Sequence, residues 1–155
     1  MLARPTTDQI ILDCRNELLN TIGPAVEAPQ AKIAIQMMEN VLRNCATRAL
    51  HEIGWMREEI DAMIAFADRV AAAPCSTPAV AAALAAYAEG RSQSLHLADI
   101  TVDYDLASQC LSAALEAAMA AGDGALHTAG RAILDVRLAH ENEIMGEWTF
   151  VGRTE

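Results

Sequence analysis

Asp99, Thr101, Asp103 and Asp105 place oxygen-bearing side chains on alternate positions, the densest chemistry-bearing cluster in the chain. That alternation matches the opening of a calcium loop, which draws its ligands from every second residue. The loop also needs glycine at its sixth position for a sharp turn and a bidentate glutamate at its twelfth, and Tyr104 and Cys110 stand there instead. The cluster therefore reads as carboxylates at a helix N-terminus, where they complement the dipole.

His140 is followed by Glu141 and Glu143, a grouping that could bring an acid and a base together at the end of the last helix. These are the weak acid/base candidates, set against ordinary complementation of a helix C-terminus by a histidine. His51, His96, His127 and His140 fall on separate segments with no HExxH, and the chain has no Glu-x-x-His, the pair a di-iron bundle requires. Cys14, Cys45, Cys75 and Cys110 are widely spaced without CxxC, which predicts small buried thiols rather than a disulfide frame or a zinc site. No serine lies in a GxSxG elbow, and Gly122 and Gly124 belong to no phosphate-cradling motif. No catalytic constellation, metal site or cofactor is expected.

Two further groups invite binding readings. Met37, Met38, Met56 and Met63, with Trp55, are a candidate pocket, because thioethers repack readily around a ligand; the plainer reading is core. Arg43, Arg48, Arg131 and Arg137 are candidate interface residues, arginine being enriched at hot spots, or they form helix-to-helix ion pairs with Glu39, Glu52 or Asp135.

The elements that must position these groups are helices. Thr6 and Gln9 form a capping box, after which Ile10, Cys14, Leu18 and Ile22 predict one apolar face, closed by Gly23-Pro24. A second helix opens near Pro29 with Ala34, Met37, Met38, Val41, Leu42, Cys45 and Ala49 as its apolar face; Lys32, Gln36, Glu39, Arg43 and Arg48 face water or a partner. The pattern breaks at Gly54 and resumes with Met56, Ile60, Met63, Ile64, Ala67, Val70 and Ala71, which reads as either a third helix or a kinked continuation of the second, two helices being the favoured reading. Thr77 and Pro78 open a short helix, uncharged as far as Ala88, that Gly90 ends. Its Val80 and Leu84 are candidate interface residues, since a helix apolar all round is either central or covered by another subunit. Arg91 to Asp99 reads as loop, then a helix from about Val102 to Ala121, a break at Gly122-Asp123-Gly124, and a last helix from about Ala125 to Met145. Leu126, Ala129, Ile133, Val136 and His140 share one side of that helix. The expectation is all-α: a single helical bundle of about five to six helices over residues 1–155, one domain.

Composition agrees and narrows the partners. Hydrophobic residues make up 53% but aromatics only 4%, with alanine abundant, which suits helices packed closely on small side chains. A formal charge of −10 and a sole lysine, Lys32, argue against nucleic acid and anionic membrane surfaces. The uncharged stretch Val70 to Ala88 is interrupted by Pro74 and Pro78 and is alanine-rich, so it does not read as a membrane span. With no apolar run at the N-terminus, the protein is expected in the cytoplasm.

Arg4-Pro5-Thr6-Thr7, the first helix and AKIAIQMMENVLRNCATRAL at Ala31 to Leu50 resemble the opening of a family of short bacterial helical proteins of unknown function. RAILDVRLAH at Arg131 to His140, followed by Asn142, resembles that family's closing motif; Asn142-Glu143 replaces its usual Asn-Pro, and Pro74 to Asp105 does not match. In that family the genes typically neighbour those of aminoglycoside-phosphotransferase-like kinases and acyl-CoA dehydrogenases, which the resemblance turns into an expectation about partners. It assigns no catalytic residue. The resulting expectation is a non-catalytic accessory or interaction protein that self-associates or docks on such an enzyme. A small-molecule-binding bundle, and an acid/base enzyme using His140 and a carboxylate, are the alternatives.

Overall fold

A computed structural model describes residues 4–92 and 94–146, and they are all-α, with no strand among them. The Trp148-Thr149-Phe150 tail lies outside the described residues. The chain forms two compact units, Met1–Glu52 with Glu141–Glu155, and Ile53–His140. No helix of the described residues is long and apolar enough to cross a membrane.

Helix α1 (Thr7–Glu17) starts at the expected capping box, where the Thr6 N–H donates to Gln9 Oε1 at 3.0 Å. It does not end at Gly23-Pro24 as expected. A π-helical turn, Leu18–Ile22, passes the chain directly into α2 (Gly23–Ala25), and Gly23 has a helical φ of −55°. The Gly23 N–H reaches back to Leu18 O, and the widened turn takes up the interruption set by Pro24, which has no N–H to continue the ladder. The predicted apolar face is also displaced: Ile10, Cys14 and Ile22 are exposed, and only Leu18 is buried.

Helix α3 (Pro29–Ala71) is one continuous helix of 43 residues, not two. Gly54 is exposed and simply tolerated, because a lone glycine weakens a helix by about 1 kcal/mol without removing a hydrogen bond, as proline would.

The unit Ile53–His140 has the larger core. The later part of α3 supplies Ile60, Met63, Phe66, Ala67 and Val70. Helix α4 (Pro78–Gly90) opens as expected on Thr77, whose hydroxyl accepts the Val80 N–H at 3.4 Å, and buries Val80 and Tyr87. Helix α5 (Leu97–Ala121) is the central element, and its alanines 107, 114, 117 and 118 let neighbours approach closely. It begins about a turn earlier than expected, with Asp99 in its first turn, so the acidic cluster lies within the helix rather than ahead of it. Gly122, left-handed at φ 66°, closes α5. Asp123 Oδ1 then accepts the N–H groups of Ala125 and Leu126 at 2.9 and 3.0 Å and starts α6 (Gly124–Met145). Gly130 is where α6 packs tightest: a Cβ there would lie 2.4 Å from Leu115 Cδ2 and 3.1 Å from Phe66 Cζ.

The four cysteines are free, but only Cys110 is fully buried; Cys75 is half-buried, and Cys14 and Cys45 are exposed, contrary to the reading of them as core thiols. Burial pushes the Cys110 thiol above its ordinary pKa.

Candidate functional site

The polar centre of the larger unit is a carboxylate that sequence reasoning passed over. Glu59 lies on the buried side of α3, between Met56 and Met63, and its side chain is 8% exposed. His140 Nδ1–H donates to Glu59 Oε1 at 2.6 Å, the Tyr104 hydroxyl donates to Oε2, and Arg137 Nε lies 3.4 Å from the same oxygen. Aromatic planes complete the group: Trp55 stacks on the His140 ring with centroids 4.4 Å apart, and the Arg137 guanidinium sits 5.3 Å over the Tyr104 ring. Burial first, and then the adjacent Glu59 carboxylate, push the Tyr104 hydroxyl up to about 12.

His140 thus meets a carboxylate, but from α3 rather than from its own helix, and Glu141 and Glu143 are exposed. Glu59 accepts two hydrogen bonds and an ion pair on its two oxygens, and the His140 face is covered by indole. The group ties α3, α5 and α6 together within this unit.

A second buried acid corrects the reading of the Asp99 to Asp105 cluster. Asp103 is fully buried rather than solvating a helix end. Its Oδ2 accepts Arg57 Nη1 at 2.9 Å and its Oδ1 accepts the Ser92 N–H at 2.8 Å, while Arg57 Nη2 donates to Ser94 O. The pair anchors the connection between α4 and α5. Among the described residues no group of three or more His, Cys, Asp or Glu could hold a metal ion.

The predicted pocket residues take different places. Met63 is fully buried in the core and Met56 packs against it, Trp55 covers His140, and Met37 and Met38 lie open on the surface. Beside Glu59 there is instead a cleft of about 230 Å³ lined by Glu58, Ala62, Ala132, Ile133 and Val136. Of the candidate interface residues, Val80 is sealed in the core and Leu84 packs against it, so what α4 turns outward is alanine. Arg48 pairs with Glu52 at 3.0 Å and Arg131 with Asp135 at 3.8 Å, whereas Arg137 turns inward to Glu59.

In the smaller unit, α3 is set against expectation. Arg15 of α1 reaches Glu39 Oε1 through Nε and Nη2 at 2.8 and 2.6 Å, so Glu39 and its neighbour Arg43 face inward. Arg43 donates to Asn40 Oδ1 at 3.0 Å, and Ala46 is buried beside them. Most of the apolar face that the sequence marks is turned out: Met37 is 65% exposed and Val41 59%, with Ala34, Met38, Cys45 and Ala49 also exposed and only Leu42 half-buried; Ile33, outside that marked face, is open as well.

Comparison of the chain with protein-family models, curated proteins and solved structures finds no match. The site is therefore read from its own geometry.

Proposed function

We propose that this chain is a non-catalytic helical interaction protein, which self-associates or docks on a metabolic enzyme. One observation carries the reading: the most amphipathic helix directs the apolar residues Ile33, Met37, Val41 and Cys45 to solvent, while Glu39 on its other side pairs with Arg15 of α1. A continuous apolar stripe of this length on a monomer marks a surface that something else covers. The family resemblance of Ala31 to Leu50, which contains this stripe, supplies phosphotransferase-like kinases and acyl-CoA dehydrogenases as the enzyme candidates. Light-scattering mass of the purified protein, alone and mixed with each purified enzyme, tests the proposal. A particle that stays monomeric and binds neither enzyme overturns it.

A separate observation favours a small-molecule reading: the cleft beside Glu59 is apolar and borders a polar cluster. Its 230 Å³ falls below the roughly 300–1,000 Å³ of ordinary ligand pockets, and the neighbouring polar groups are already engaged with one another. The acid/base reading finds its carboxylate in Glu59, 2.6 Å from His140 Nδ1, rather than in Glu141 or Glu143.

A further inference from the structure

We draw no further inference here: the strongest candidate, the open apolar face of α3 around Met37 and Val41, already carries the interaction reading, and nothing in the structure shows what covers it.

Discussion

The two halves of α3 share one helix and opposite fates. From Ile53 onward the apolar stripe Ile60, Met63, Phe66, Ala67 and Val70 is buried, and the two acids of its buried unit, Glu59 and Asp103, are closed by partners. From Pro29 to Glu52 an equally regular stripe is left open, while Glu39 pairs with Arg15 on the other side. Periodicity therefore states which face must be covered, and not whether the same chain covers it.

The largest effect should come from breaking the closed half at Asp103. Asp103→Ala leaves the Arg57 guanidinium without its buried counter-ion and the Ser92 N–H without its acceptor. Loss of one partner from a buried pair costs about 3–5 kcal/mol, so denaturant midpoints should fall sharply and α4 and α5 amides should lose exchange protection first. A change below about 1 kcal/mol would show that the pair is ornamental.

Methionine truncation compares the halves directly. Met63→Ala empties a fully buried site and should cost about 2–5 kcal/mol. Met37→Ala, at 65% exposure, should change the monomer's stability by about 0.5 kcal/mol or less when measured at high dilution, while weakening association at high concentration. Equal losses at the two positions would mean that the outer stripe is buried within the monomer after all.

Much of the framework was legible in the residues. The Thr6 capping box, the Thr77-Pro78 start and the break at Gly122-Asp123-Gly124 are local signals, and local physics decides them. Glu59 and Asp103 were missed because acids are by default assigned to solvent, although each occupies a stripe position: Asp103 between Ile100 and Ala107, Glu59 between Met56 and Met63. An acid interrupting an apolar stripe is the available signal. Its partners were beyond reach, since Arg57 lies 46 residues from Asp103 and His140 81 residues from Glu59, and no local spacing encodes such pairings. The outward turn of Met37 and Val41 was hidden for a related reason: it follows from Arg15 meeting Glu39, across 24 residues.

Alkaline titration sharpens the account of the closed half. The Tyr104 hydroxyl is held up to about 12 in the fold, against 10.0 ordinarily. Between those values the unfolded chain sheds a proton that the folded one keeps, so stability present below pH 10 is lost as pH rises toward 12. Tyr104→Phe should cost about 1.5–3 kcal/mol at neutral pH through the lost bond to Glu59. The gap between wild type and variant should then narrow across that alkaline window. A constant gap would mean that Tyr104 ionises alike in both states.

The smallest effect tests the junction of the halves. Gly54 sits within α3 two residues beyond Glu52, is exposed, and has nothing within 4 Å of where a Cβ would stand. If the helix runs unbroken there, Gly54→Ala removes backbone freedom from the unfolded chain and adds no clash, so stability should rise by about 0.5–1 kcal/mol. If the chain bent at this glycine, as its position in the sequence suggests, alanine would resist the bend and stability would fall. The sign of the change, read by denaturant unfolding at high dilution, decides between a single 43-residue helix and two shorter ones.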